Sequence, residues 1–387
     1  MDAAASSPLG WLCAGVTGLF GVTMLCPARG SALHKAKVLL CSLLPALLCV
    51  ATLGAGEGLG VFVAMCLVCC AYRGDRDLLP VGDRAVLITG SDTGIGHALA
   101  KYLDSLGFVV FAGVLNQDGP GAEELRRTCS QRLSVLQLDI TNTTQVQEAY
   151  LAVSERVQNA GLWGVVNNAG ILGFPADGEL LPMSTYRHCM EVNFFGAVEV
   201  SKTFLPLLRR SRGRLVNMSS LAGGIPLPRY AAYGASKAAL SMFSGVMRQE
   251  LSKWGIKVTA IHPSGFRTGI EGTAEQWDQQ EKELLEKLPA GTRQAYGEEY
   301  LLGLRNYLLH LPSHCAPDLS PVLAAVLHAL LARRPQGLYT PGRGAHVLLC
   351  IFCCFPLWFY DFLISKVVSA GSVPRELRTS GDEGKNL

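Results

Sequence analysis

The sequence predicts an α/β fold. The expected architecture is a doubly wound parallel sheet of about seven strands in the order 3-2-1-4-5-6-7, preceded by N-terminal hydrophobic membrane segments. Three observations carry that prediction. Short β-rich runs alternate with helical runs from residue 85 to residue 340. A glycine-rich turn, Gly90-Ser-Asp-Thr-Gly94-Ile-Gly96, follows the first run and opens a helix. The apolar excess sits at the two ends of the chain, outside the alternating middle.

The 387 residues suffice for one large domain with appendages. A net charge of +3 gives no electrostatic case for nucleic acid. The 13 cysteines are odd in number, and many lie in apolar text, among them Cys66, Cys69, Cys70, Cys350, Cys353 and Cys354. Cys69-Cys70 and Cys353-Cys354 are adjacent pairs within lipophilic text. They read as buried or lipid-facing thiols, with neither a disulfide framework nor a metal site.

Residues 1–80 form the N-terminal membrane anchor region. Leu9 to Cys26 is apolar and closed by Pro27, and a basic loop with Arg29, His34, Lys35 and Lys37 follows. Val38 to Ala71 is apolar again, broken by the glycines at 54–58. Each run approaches the ~20 residues that span a bilayer. A cleaved secretory signal fits poorly, because apolar text resumes after the basic loop. Arg73-Gly-Asp-Arg-Asp77 reads as a polar linker into water.

Residues 81–345 carry the alternating text. Ala85 to Thr89 reads as a buried parallel strand. It feeds the glycine turn, whose backbone can approach a pyrophosphate at the N-terminus of the helix His97 to Leu106. Phe108 to Val114 is strand two, Gly121 to Thr128 a short helix, and Leu133 to Ile140 strand three. Thr143 to Asn159 is helical. Leu162 to Val166 is strand four, ending in Asn167-Asn168-Ala169-Gly170. A long helix runs from Met183 to Arg210. Arg214 to Met218 is strand five, Ala231 to Lys253 a helix, and Lys257 to His262 strand six, with a seventh near 337–340. Residues 273–312, rich in Glu, Gln, Lys and Leu, interrupt the alternation as a helical insert; a lid and a plain solvated face both remain open. Residues 346–387 hold a membrane-associated segment, Val347 to Ile364, cut by Pro356 and Asp361, and a polar tail.

Tyr233-Gly-Ala-Ser-Lys237 carries the candidate chemistry. Tyr and Lys at i and i+4 share one helix face. A lysine ammonium there favours the phenolate and pulls the phenol below its usual pKa of about 10. A tyrosine so tuned can exchange a proton with an alcohol. On its own such a pair is most often a chance surface contact; here Ser220 lies upstream and the glycine turn far before it.

TGSDTGIG, NNAG, Asn193, Ser220 and Tyr233-x-x-x-Lys237 occur in the order that resembles the short-chain dehydrogenases/reductases, over roughly residues 82–345. FAGVLNQDGPGAEELRRTCSQRLSVLQLDIT and GLWGVVNNAGILGFPADGELL are similar to the hydroxysteroid members of that family. The resemblance implies a Rossmann domain and NAD-dependent oxidation of 17β-hydroxysteroids to 17-ketosteroids, as from estradiol to estrone or testosterone to androstenedione, with 20α-hydroxysteroids as further substrates. Tyr233 would be the acid/base, and Lys237 would tune it and hold the nicotinamide ribose. Ser220 would position the substrate oxygen, and Asn193 would hold a water linking Lys237 to solvent. Cofactor contacts are expected from Thr89, Gly90, Asp92, Thr93, Gly94, Ile95, Gly96, Asp139, Ile140, Asn167, Ala169, Gly170, Pro263 and Thr268, besides Tyr233 and Lys237. Asp92, with no base beside it and none in Leu115 to Asp118, would repel a 2′-phosphate and favours NAD over NADP. Ser264 stands where the family usually has the glycine of Pro-Gly, which puts that turn's geometry in question.

A steroid pocket must be long and mostly apolar. Leu172, Phe174, Leu221, Tyr230 and Phe266, with Pro226, are its candidate walls, beside Ser220 and Tyr233. Oxidation of an 11β-hydroxysteroid or of retinol is the alternative within the family. A non-catalytic dinucleotide-binding membrane protein is the alternative outside it. The expected surroundings are the endoplasmic reticulum membrane and its lipid, with the catalytic domain on the cytosolic side. A homodimer stays open as the assembly. So does glycosylation at Asn142.

Overall fold

The computed structural model describes residues 78–270, 274–304, 313, 315–368 and 374–377, all within the unit Asp75–Leu387. The N-terminal apolar runs, the linker Arg73 to Asp77, part of the insert and most of the polar tail lie outside the described residues.

Seven parallel strands form one sheet in the order β3-β2-β1-β4-β5-β6-β7, the order expected from the alternation. They are β1 (Ala85–Ile88), β2 (Val109–Val114), β3 (Leu133–Gln137), β4 (Gly164–Asn167), β5 (Arg214–Met218), β6 (Lys257–Ile261) and β7 (Leu338–Tyr339). All residues of β1, β4 and β5 are buried. Such continuous apolar runs suit strands covered on both faces. One face packs on α3 (Thr143–Val157) and α5 (Ala197–Ser211) through Val146, Val153, Val200 and Phe204. The other packs on α1 (Gly94–Ser105) and α9 (Ser320–Leu331) through Leu99, Leu103, Val322 and Val326. Strand order reverses between β1 and β4, where Ile88 pairs with Val166. The crevice outside their carboxyl ends is therefore the site a doubly wound sheet offers.

Two boundaries differ from expectation. Strand three stops at Gln137 rather than Ile140. There the Asp139 N–H turns to Gln145 Oε1, and Asp139 Oδ1 accepts from Thr141 N–H, closing a turn. The long helix after residue 183 is three pieces: α4 (Met183–Met190), a π-turn (Glu191–Gly196) and α5. After α2 (Pro120–Thr128) and α6 (Ala231–Glu250), the insert gives α7 (Ala274–Lys287) and α8 (Ala290–Tyr296). The C-terminal apolar text forms α10 (Ala345–Cys354) and α11 (Leu357–Val368), divided at Pro356 as the sequence suggests. No described helix is long and apolar enough to cross a membrane. Asn142 caps α3, its Oδ1 accepting from the N–H groups of Thr144 and Gln145.

Candidate functional site

The glycine turn joins β1 to α1 and is shaped by backbone contact. Gly90 has φ +67°, and a Cβ there would lie 2.7 Å from Ala169 Cα. At Gly96 a Cβ would stand 2.1 Å from the Gly90 carbonyl oxygen. Thr93 is the N-cap of α1 and makes no side-chain cap hydrogen bond. The first N–H groups of the helix therefore keep their capacity for an anion. Ile95 packs into the sheet core. Thr268 crosses the turn closely enough that a Cβ at Gly94 would meet its carbonyl at 2.6 Å. These positions fit the pyrophosphate of a dinucleotide.

Asp92 is fastened to the end of β2. Its carboxylate accepts from Leu115 N–H at 2.9 Å and Asn116 N–H at 3.2 Å. An acidic group thus reaches the end of strand two although that strand's own residues lack one. Asp139 spends its Oδ1 on Thr141, and Ile140 is buried against Gly196.

After β4 the two neighbouring asparagines part company. Asn167 was expected at the cofactor, but its side chain is buried in the core. Its Nδ2 donates to Ser201 Oγ and Asn217 Oδ1, both at 2.8 Å. Asn168 does the work at the turn: its Nδ2 donates to the carbonyls of Thr89 and Gly90 at 3.0 Å. Thr89 Oγ1 accepts from the N–H groups of Asn168 and Ala169. Asn168 was missed, and the only signal for it is its place in the NNAG run. Gly170 lies between Asn193 and Lys237: a Cβ there would be 2.9 Å from Asn193 Oδ1 and 3.0 Å from Lys237 Nζ.

Asn193 sits in the π-turn and is fully buried. Its side chain clamps Ile171, accepting from the N–H at 2.8 Å and donating to the carbonyl at 2.9 Å. A third bond goes to Ser236 Oγ at 2.9 Å. Its side-chain hydrogen-bonding groups anchor the loop after β4.

Tyr233, Ser220 and Lys237 do come together. Tyr233 and Lys237 lie on one face of α6, with the ammonium 5.8 Å from the phenol ring centre. Ser220 faces the Tyr233 hydroxyl closely enough to pull the phenol's pKa down. Ser220 also caps the short turn Leu221–Gly223 by accepting from Ala222 N–H at 3.2 Å. Lys237 is buried and donates to the Met218 carbonyl at 3.0 Å. Burial pushes the Tyr233 phenol up to about 12, against the Ser220 hydrogen bond that pulls it down. Burial likewise lowers Lys237 to about 8. Burial thus opposes the expected lowering of the phenol, because removal from water penalises the charged form of each group.

The expected pocket residues separate into three places. Phe174 is buried with Leu180 and Cys189 under the insert, its ring edge-on to Trp277 of α7 at 5.7 Å. Leu172 lies beside it, its carbonyl 3.9 Å from Cys189 Sγ. The insert therefore packs an apolar stripe on the loop after β4 and turns its charged positions to solvent. Tyr296 donates to Glu179 at 3.0 Å and Tyr300 to Asp177, tying the same two segments. Leu221 belongs instead to a cluster with Ile225, Tyr360 and Ile364 of the C-terminal helices. Tyr230 stands edge-on to Tyr233 at 6.3 Å and lines a cavity of about 770 Å³ with Pro226, Tyr360 and Ile364. Phe266 is core, 5% exposed beneath the sheet. At the turn after β6, Pro263 accepts from Leu221 N–H at 2.9 Å. Ser264 finds room against Gly342: a Cβ at 342 would be 1.9 Å from Ser264 Oγ.

The family model of the short chain dehydrogenases matches residues 84–279. The chain is 51% identical over 373 residues to human 17-beta-hydroxysteroid dehydrogenase type 2, covering 96% of each. It is 47% identical over 300 residues to bovine 11-beta-hydroxysteroid dehydrogenase type 2, covering 78% of this chain and 74% of the relative. A short-chain dehydrogenase/reductase from Burkholderia phymatum, solved in complex with NAD, superposes with a TM-score of 0.58 at 18% identity. It covers 71% of this chain and 94% of its own.

Proposed function

The chain belongs to the short chain dehydrogenases, and from that premise we propose that it oxidises 17β-hydroxysteroids to 17-ketosteroids with NAD. It is an enzyme, a dehydrogenase of a family that uses NAD(P). The observation that carries the reading is the convergence of Tyr233, Ser220 and the buried Lys237 at the carboxyl ends of β4 and β5. When bound, the nicotinamide ring accepts the hydride.

Everything else falls to the protein. Ser220 orients the substrate hydroxyl toward Tyr233. Tyr233 takes the hydroxyl proton as hydride leaves, and a base with this acidity serves only in its phenolate form. The Lys237 ammonium, 5.8 Å from the ring centre, stabilises that phenolate and offers its remaining N–H groups to the ribose. Asp92, held at the end of β2 with no base beside it, supports NAD over a 2′-phosphorylated dinucleotide. The 17β-hydroxysteroid assignment rests on the similarity in both length and identity to a relative bearing that name. In cells the NAD pool is kept oxidised, so the net direction is alcohol to ketone.

The surroundings proposed are the endoplasmic reticulum membrane with a cytosolic catalytic domain. Val347, Phe355, Leu357, Trp358 and Phe362 are exposed along α10 and α11 and supply an apolar face for lipid. Turnover of estradiol, testosterone, cortisol and retinol, each with NAD and NADP, on membranes from expressing cells tests the reading. Preference for cortisol or retinol would move it to the 11β-hydroxysteroid or retinol class.

A further inference from the structure

Three polar side chains beside the site take no part in the chemistry above: two converge on one backbone oxygen and the third backs one of them. The Lys237 carbonyl accepts from Ser219 Oγ and from Ser241 Oγ, each at 2.8 Å. The two hydroxyls are 2.8 Å apart, and Ser241 Oγ is 2.8 Å from His262 Nε2. Ser219 and His262 are buried, 5% and 4% exposed. Each member adjoins a site residue. Ser219 precedes Ser220, His262 precedes Pro263, and Ser241 follows Lys237 by one helical turn.

The protons in this cluster can be counted. Each serine has one to give, and each lies within reach of the Lys237 carbonyl. His262 Nδ1 has no hydrogen-bond partner and is walled by Gly224, where a Cβ would lie 2.9 Å away. The imidazole proton therefore belongs on Nε2, where it can be given to Ser241 Oγ. A second proton on Nδ1 would be a buried donor without an acceptor, and burial accordingly lowers this histidine to about 4. The ring is a fixed, neutral donor.

We propose that Ser219, Ser241 and His262 are positioning residues: together they hold the turn of α6 that carries Lys237 at a set place between the Ser220 loop and the Pro263 turn. The backbone already joins those two loops, through Ser219 N–H to the Ile261 carbonyl at 2.8 Å and Leu221 N–H to the Pro263 carbonyl. The three side chains add the helix. A helix shifted by a fraction of an ångström changes the reach of Tyr233 toward Ser220 and the substrate, which hydride transfer feels more than binding does. The inference rests on Tyr233 being the acid/base.

The test uses the full-length enzyme in membranes, comparing His262→Leu, His262→Gln and Ser241→Ala with the parent, and Tyr233→Phe as control. Glutamine can return an N–H near the Nε2 position; leucine cannot. The readouts are kcat, both KM values, dinucleotide-binding sites per protein, and the primary isotope effect with alcohol deuterated at the carbon that gives up hydride. In His262→Leu and Ser241→Ala, kcat should fall by about tenfold or more while KM values stay within about twofold. The isotope effect should rise, because hydride transfer has become slower, and His262→Gln should recover most of the rate. Unchanged kcat and isotope effect in both variants, with Tyr233→Phe inactive, overturns the proposal alone. A rate that falls only in proportion to lost dinucleotide sites, with an unchanged isotope effect, overturns it too, since that is lost fold. Near-normal turnover in Tyr233→Phe overturns the reading beneath it.

Discussion

The two halves of the site are held in shape by different physics. The cofactor half, built from β1, the glycine turn and the Asn168 loop, is a fit of backbone to backbone. Gly96 lies under the Gly90 carbonyl, and Asn168 bonds two carbonyls of the same turn. The substrate half is a fit of side chains from distant segments. Phe174 meets Trp277, Tyr300 reaches Asp177, and Tyr360 donates to the Pro226 carbonyl at 2.6 Å. Backbone fits tolerate almost no change at a few positions. Side-chain fits tolerate exchange at each position and set what is bound.

That contrast is sharpest at Gly96. Alanine there drives a methyl into the Gly90 carbonyl and Asn168, so the turn must open. If two charge-assisted contacts of about 1.5–3 kcal/mol each are lost, dinucleotide affinity falls by at least roughly 10²-fold. Fluorescence titration of the dinucleotide checks this, and near-parental affinity would mean the turn is not a backbone fit.

Acid should act first at His262, where the strand-six end meets the helix of Tyr233 and Lys237. His262 takes its proton at about 4 when folded, against 6.5 ordinarily. Below pH 6.5 the unfolded chain binds a proton that the folded chain refuses. Stability is therefore intact above pH 6.5 and lost as pH falls toward 4, by up to roughly 3 kcal/mol. Tyr296 and Tyr300, both raised to about 12, stay neutral throughout that window and add no such loss on the insert side. Melting curves from pH 7 to pH 5 should shift less in His262→Gln than in the parent; equal shifts would remove His262 as the cause.

On the substrate side, Trp277→Ala should raise the KM for steroid about tenfold, the equivalent of roughly 1.4 kcal/mol, and leave the dinucleotide KM within about twofold. A larger effect on the dinucleotide would dissolve the division into halves. The smallest expected change is Asp92→Arg. It exchanges a charge at the ribose end and should narrow the preference for NAD over NADP by no more than about tenfold, read as the ratio of kcat/KM values.

The same contrast explains what could be read in the sequence. Strand order, the glycine turn and the Tyr233–Lys237 face follow from periodicity and from residue types with few alternatives, and all are where the text places them. Asn167 and Asn168 could not be told apart, because strand phase alone decides which points into the core, and β4 runs through Asn167. Phe266 and Leu221 are loop residues in sequence and core residues in space, covered by Ala316 and by Tyr360. Helix spacing shows the lysine beside Tyr233 and hides the burial that raises its phenol.

The central claim is that Tyr233 performs the proton transfer in an NAD-linked oxidation of a 17β-hydroxysteroid. The most direct measurement is turnover of estradiol with NAD by parent and Tyr233→Phe membranes containing equal dinucleotide-binding capacity. The account predicts estrone formation by the parent and a loss of at least about 10²-fold in the variant, with dinucleotide binding retained. Comparable estrone formation by both would contradict it.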